Sequence, residues 1–190
     1  MSDFTAFLRI GFTHIIGGYD HLLFLIALVI VTRTWRSLLS VISAFTIAHS
    51  TTLILSALGI ISLAPAITES LIAASITYVA IENIVRKNYE GRWIVAGAFG
   101  LIHGAGFSGH LTNLLKNSLE GGAIWSPLIG FNVGIELGQI LVISLLYPFI
   151  WWMRKAGKEE VLVPEISRVI AAIGGVLVVG RIFGLFSEGA

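Results

Sequence analysis

The chain has 190 residues, of which 56% are hydrophobic and only 12% are charged, about half the charged fraction of a typical soluble domain. Its 12 Lys and Arg residues nearly balance its 11 Asp and Glu residues, which argues against a nucleic-acid partner. Cysteine is absent, so disulfides and thiolate metal sites are excluded, and any bound metal must use nitrogen and oxygen donors. The composition predicts one transmembrane domain spanning residues 1–190.

Six apolar segments are each long enough to cross a bilayer, which takes about 20 residues in a helix. A strand in lipid would leave backbone groups unpaired, so we expect these segments to be helices in an all-α, polytopic membrane bundle. The predicted segments are residues 11–31, 38–58, 66–85, 93–111, 123–151 and 166–186.

Basic residues are concentrated in the connections between segments one and two, three and four, and five and six. The positive-inside rule places these connections in the cytoplasm, so both termini are predicted to lie outside. Tryptophans at the same segment ends are typical of an interfacial aromatic belt. These are Trp35, Trp93, Trp151 and Trp152.

Two histidine-containing motifs interrupt the apolar segments one and four. The first holds His14, Asp20 and His21, and the second holds His103 and His110. Each histidine pair is seven residues apart, which places its members on one face of a continuous helix. Neighbouring glycines leave open the alternative that both helices unwind there and expose backbone carbonyls, as in broken transporter helices. Those glycines are Gly17, Gly18, Gly104 and Gly106.

Ionisable and amide side chains in five segments are predicted to converge on a cavity open to the outside. An ionisable group costs roughly 2.5–3.5 kcal/mol at the centre of a membrane helix, so such a group indicates a partner or a function. Imidazole and carboxylate are donors that suit nickel, cobalt, zinc and copper. The predicted metal ligands are His14, Asp20, His21, His49, Glu69 and His103. The predicted supporting or pathway residues are Ser50, Ser75, His110, Asn132, Glu136 and Gln139.

Segment five also carries a ridge of small residues opposite its polar face. Gly130, Gly134 and Gly138 recur every four residues, which allows a neighbouring helix to pack closely. The spacing alone is compatible both with packing inside the bundle and with dimerisation. Near the basic end of segment three, Glu82 and Asn83 precede Arg86 by one turn, which favours an interfacial ion-pair network there.

The motifs resemble those of the HupE/UreJ family of bacterial membrane proteins, over nearly all of the chain. The family hallmark of His, five residues and Asp-His is matched by His14, Asp20 and His21. The resemblance is in particular to the second branch of the family, and Phe107 and His110 differ from the second motif of the hydrogenase-linked branch. The other matching blocks are Phe45 to Ser50, Glu69 to Ser75, Glu82-Asn83, Phe99 to Phe107 and Gly130 to Gln139.

This resemblance implies a nickel or cobalt permease in the bacterial inner membrane, and it leaves zinc or copper open as the ion. The leading hypothesis is a divalent-metal permease or binding protein whose transport is passive or ion-coupled. The rival hypothesis is an intramembrane zinc-dependent hydrolase, in which three ligands hold the metal and Glu69 or Glu136 acts as general base. A third reading is a metal sensor or assembly partner, and the protein partners are unknown.

Overall fold

The computed structural model describes residues 3–86, 89–106 and 125–184, and within these ranges all regular secondary structure is helical. The helices are α1 (Asp3–Gly17), α2 (Tyr19–Val29), α3 (Trp35–Ala57), α4 (Pro65–Val85), α5 (Arg92–Gly106), α6 (Trp125–Lys155) and α7 (Glu159–Ile182). The predicted all-α polytopic bundle is therefore confirmed. Residues 107–111 of predicted segment four and His110 within it lie outside the described residues.

Helices occupy all six predicted segments, although their bounds differ. The helices α3, α6 and α7 are long and apolar enough to cross a bilayer, and α1 with α2 forms a fourth candidate bent by 70°. Two helices begin well before their predicted segments: α1 begins at Asp3 rather than at residue 11, and α7 begins at Glu159 rather than at residue 166. The first turn of α7 carries Glu159 and Glu160, which suit the positive end of the helix dipole and extend the helix beyond the apolar segment.

Local signals set several helix ends. The Thr34 side chain caps α3 by accepting a hydrogen bond from the Ser37 amide at 3.1 Å. After α3, Gly59 adopts a φ of +72°, a left-handed conformation that glycine adopts without steric cost. Pro65 then begins α4, at the helix position where proline's missing N–H loses no hydrogen bond. The α3–α4 connection is therefore specified by its own residues.

Glycines bring the helices together in three close pairs. A Cβ at Gly134 of α6 would lie 2.1 Å from the Leu8 carbonyl oxygen of α1. In the same way, a Cβ at Gly104 of α5 would lie 2.1 Å from the His49 carbonyl oxygen of α3. A Cβ at Gly174 of α7 would lie 2.5 Å from a side-chain oxygen of α4. These pairs pack most extensively, and the glycine ridge of α6 serves packing inside the bundle.

The surface of the bundle is apolar over much of its length. Large aliphatic side chains such as Leu39, Ile47 and Leu145 are exposed, which is expected of a protein whose solvent is lipid. All four predicted belt tryptophans are also exposed. Lys155 lies 4.7 Å from the centre of the Trp151 ring, a cation–π contact that suits an aromatic belt at the membrane surface.

Candidate metal centre

The chain bends between α1 and α2 at Gly18, and this bend forms one wall of the site. Gly18 has extended backbone angles, and a Cβ there would lie 2.7 Å from the His14 carbonyl oxygen and 2.8 Å from His21 Nδ1. Only glycine fits this position without a shift of its neighbours. The alternative of a break at the glycines is therefore confirmed at Gly18, and the expectation of one continuous helix face for His14 and His21 is wrong.

The bend nevertheless brings the two histidines together. The ring centres of His14 and His21 are 4.4 Å apart across the 70° bend between α1 and α2. In segment four, by contrast, α5 continues without a break through Gly104 to Gly106, so the alternative of an unwound helix is wrong there. Gly104 instead allows the close approach of α5 to α3.

His49 of α3 completes a group of three imidazoles, which we call the histidine cluster (His14, His21 and His49). Its ring centre lies 6.2 Å from that of His14 and 6.1 Å from that of His21. One nitrogen from each residue can be chosen so that all three lie within 4.8 Å of one another. Three imidazole nitrogens at this spacing match the donor set of a transition-metal ion after small side-chain adjustments.

Several ring nitrogens of this region are buried without a hydrogen-bond partner in the described chain. They are His21 Nε2, both nitrogens of His49, and His103 Nδ1. A buried polar atom left unsatisfied costs about 1–3 kcal/mol, so native proteins rarely retain several together. A metal ion is a chemically suitable partner for such nitrogens. The buried histidines of this region are therefore compatible with a bound metal ion.

His103 of α5 lies next to the histidine cluster, with its ring centre 5.2 Å from that of His21. Its Nε2 shares a 2.9 Å hydrogen bond with the Ser75 hydroxyl, which also donates to the Ile72 carbonyl at 2.6 Å. Because a hydroxyl has one hydrogen, His103 Nε2 is then the donor and Nδ1 carries the lone pair. Ser75 thus fixes the ring in the form whose second nitrogen can accept a proton or bind a metal.

Asp20 is paired with a basic residue that the sequence motifs did not include. Its carboxylate accepts a hydrogen bond from Arg181 of α7, and both residues are buried. Arg181 also donates to the Glu69 carbonyl at 2.7 Å and approaches the Tyr19 hydroxyl at 3.5 Å. An arginine inside an apolar segment is itself a signal of function, and this signal points to Arg181 in segment six.

These side chains surround a cavity of about 300 Å³ between the helices. Five of the six predicted ligands line this cavity, all except His49. The lining residues used below are His14, Asp20, His21, Glu69, His103 and Arg181. His49 is fully buried behind this wall, at 0% exposure.

The predicted supporting residues of α6 lie apart from this cavity. Asn132 accepts a hydrogen bond from Ser50, and Gln139 accepts one from Thr46 at 3.0 Å, so both amides connect α6 to α3. Glu136 is exposed on α6. The cavity wall is therefore formed without these three residues of segment five.

Aromatic and aliphatic side chains close the bundle beyond the histidine cluster. Phe24 is 1% exposed, and its ring centre lies 4.6 Å from that of His103 and 5.4 Å from that of Phe45. A void of about 10 Å³ touches both His21 and Val41. Val41 also lines a cavity of about 510 Å³ at the basic end of the bundle. A hydrated ion would not fit the intervening void, which is the size of a single water.

A second buried polar group, which we call the arginine network, lies near the basic end. Arg92 donates to Glu82 at 3.0 Å, to Asn83 at 2.6 Å and to the Ala27 carbonyl at 3.0 Å. Arg86 contacts the other oxygen of Glu82 at 2.8 Å. The predicted ion-pair network at Glu82 and Asn83 is therefore confirmed, with Arg92 as a further member.

Comparison with known proteins identifies a family for this chain. The searches of curated proteins and of solved structures found no match. The family described as HupE / UreJ protein matches residues 1–187, which is nearly the whole chain. The match includes both the bent α1–α2 segment and the α7 helix that carries Arg181. This protein is therefore a member of the HupE/UreJ family of membrane proteins.

Proposed function

We propose that this protein is a permease or binding protein for a divalent transition metal, with nickel or cobalt favoured. The observation that carries the proposal is the histidine cluster, in which three helices supply imidazole nitrogens within 4.8 Å of one another. Neutral imidazoles would replace part of the water around the ion. Membership of the HupE/UreJ family supports nickel or cobalt as the cargo.

The proposed residue roles follow from position in the cavity. His14, His21 and His49 are the proposed first ligands, because their nitrogens are mutually close. His103 and the carboxylates of Asp20 and Glu69 would assist binding from the cavity wall. Carboxylates offset part of the divalent charge, which neutral imidazoles cannot do.

The two cavities and the void between them support movement of the ion through the bundle. His21 lines both the 300 Å³ cavity and the small void. Val41 lines both the void and the 510 Å³ cavity at the basic end. These shared residues outline a route between α2 and α3 that is closed at Phe24. Transport would require Phe24 and its neighbours to move apart, as gating steps do in transporters that alternate access.

We also propose the membrane arrangement expected from the basic connections. The protein would lie as a single multi-pass domain in the bacterial inner membrane, with both termini and the histidine-cluster cavity facing outward. The chain lacks cysteine, so single-cysteine variants give a direct test. A cysteine at Leu63 should react with an impermeant maleimide in intact cells, and one at Lys158 should react only after lysis. The reverse pattern would contradict the orientation.

Metal binding is tested on detergent-purified protein equilibrated separately with Ni²⁺, Co²⁺ and Zn²⁺. Mass spectrometry should find close to one tightly bound ion in the parent protein, and none in His21→Ala or His14→Ala. Ser167→Ala is the control, since Ser167 is a buried polar residue of α7 away from the cavity lining. Equal metal content in the parent and both histidine variants would contradict the proposed site.

A zinc-dependent hydrolase remains the second candidate because Glu69 lies on the same cavity wall as His14 and His21. Three histidines with a nearby carboxylate resemble the parts of a catalytic zinc site. Flux separates the two functions. Proteoliposomes that enclose a metal-sensitive dye should show uptake for a permease, whereas a hydrolase would bind the metal without moving it. Binding without flux would leave the enzyme or the binding protein.

A further inference from the structure

Arg181 places a fixed positive charge inside the proposed metal cavity. Its side chain is buried, at 5% residue exposure, and it lines the cavity together with His14 and His21. Its guanidinium contacts the Asp20 carboxylate, the Glu69 carbonyl and the Tyr19 hydroxyl. A cation-binding site therefore contains a cation of its own, held on the carboxylate next to His21.

Charge balance shows why this arrangement matters. The formal charges on the cavity wall are −1 at Asp20, −1 at Glu69 and +1 at Arg181. A divalent ion would be balanced by the two carboxylates alone, but Arg181 already uses one of them. Opposite charges inside a membrane protein attract strongly because the surroundings screen them poorly. The ion and Arg181 thus compete for Asp20.

We infer that Arg181 is a tethered competitor of the metal, which holds Asp20 when the cavity is empty and releases it when an ion binds. This inference rests on the proposed metal site. Arg181 is one residue from the end of α7 at Ile182, so its long side chain can extend toward the polar surface once Asp20 is released. On departure of the ion, Arg181 would reclaim Asp20. Arg181 is therefore a positioning residue that lowers metal affinity and favours release.

The first test compares the affinities of variants for Ni²⁺ and Co²⁺ by calorimetry in detergent. Arg181→Gln should bind each ion at least about tenfold more tightly than the parent, which corresponds to about 1.4 kcal/mol. Arg181→Lys keeps the competing charge and should remain closer to the parent. Arg154→Gln is the matched control, because Arg154 also donates to backbone carbonyls, those of Ile30 and Thr32, but at the basic end. Unchanged or weaker binding by a folded Arg181→Gln would overturn the inference.

A second variant decides the question if Arg181→Gln does not fold. Asp20→Asn keeps an oxygen that can accept a hydrogen bond from Arg181 but removes the charge for which the two cations compete. It should bind Co²⁺ at least about tenfold more weakly and change the visible absorption of the bound Co²⁺, which reports its ligands. Parent-like affinity and absorption in Asp20→Asn would overturn the inference.

The outcomes separate this inference from the proposed function. A parent protein that binds neither Ni²⁺ nor Co²⁺ would contradict the metal site itself. A parent that binds metal through His14 and His21, with an unchanged Asp20→Asn variant, would contradict only the competition between Arg181 and the ion. In that case Asp20 and Arg181 would simply join α2 to α7.

Discussion

The histidine cluster and the arginine network are both buried polar groups in an apolar bundle, but they differ in how their atoms are satisfied. In the arginine network, Arg92 has partners for both terminal nitrogens, and only its Nε lacks one in the described chain. In the histidine cluster, both nitrogens of His49 and one of His21 lack a partner there. His49 and Arg92 are both buried, whereas their hydrogen bonding differs.

This difference in hydrogen bonding indicates which buried polar group stabilises the fold and which one could bind a ligand. A buried charge that is fully paired contributes to a single arrangement of the helices, and removing one partner leaves the other charge uncompensated. Buried nitrogens without partners lower stability, which supports the proposal that a metal ion completes them. We therefore interpret the arginine network as structural, because Arg92 of α5 joins Glu82 of α4 to Ala27 of α2, and the histidine cluster as the proposed metal site.

The largest expected effect is on stability, from Arg92→Met. This change leaves Glu82 buried without its Arg92 partner, and we expect the free energy of unfolding to fall by about 3–5 kcal/mol. Arg86→Met is the control, because the Arg86 side chain is 61% exposed and its pair with Glu82 should contribute at most about 1 kcal/mol. Denaturation in mixed detergent measures both. Similar losses in the two variants would remove the distinction between the buried and exposed arginines.

The next effect should appear in binding and not in stability. His49→Leu removes two unpartnered nitrogens and fills a similar volume, so stability should stay level or rise. Metal affinity should fall at least about 100-fold, or about 2.7 kcal/mol. Gln139→Leu is the control, because Gln139 is also buried but bonds to Thr46. It should lose about 0.6 kcal/mol of stability and retain metal binding. The opposite pattern would make His49 a structural residue.

A smaller effect, on both stability and metal affinity, is expected at Gly104. Gly104→Ala would place a Cβ 2.1 Å from the His49 carbonyl oxygen and should cost about 1–3 kcal/mol of stability. Metal affinity should fall too, because α3 must shift and take His49 with it. Gly175→Ala has nothing within 4 Å of its new Cβ, so it should be neutral or slightly stabilising. Calorimetry and unfolding on the same samples would reveal any separation of the two losses.

Helix positions could be predicted from the sequence, whereas contacts between distant helices could not. Glycines beside polar residues indicated a break at Gly18, which the structure has, but the same signal at Gly104 did not break α5. The pairing of Asp20 with Arg181 spans 161 residues, and no spacing rule encodes which helices become neighbours. Glu136 shows the same limit. Its depth follows from helix rise, but α6 has apolar residues around most of its circumference, so the sequence does not fix which face is buried.

The smallest expected effect concerns how His103 is held. Ser75→Ala removes the hydrogen bond at 2.9 Å that fixes the orientation of the His103 ring, while leaving the histidine cluster intact. Partners that orient a metal-binding histidine typically contribute 10- to 100-fold to affinity, and we expect the lower end, about tenfold, since His103 lies beside the three closest imidazoles. Ser70→Ala is the matched control, because the Ser70 hydroxyl donates only to Ala66 of its own helix. Calorimetry should therefore show weaker Co²⁺ binding by Ser75→Ala and unchanged binding by Ser70→Ala. Parent-like affinity of Ser75→Ala would show that the Ser75 hydrogen bond does not contribute to metal binding.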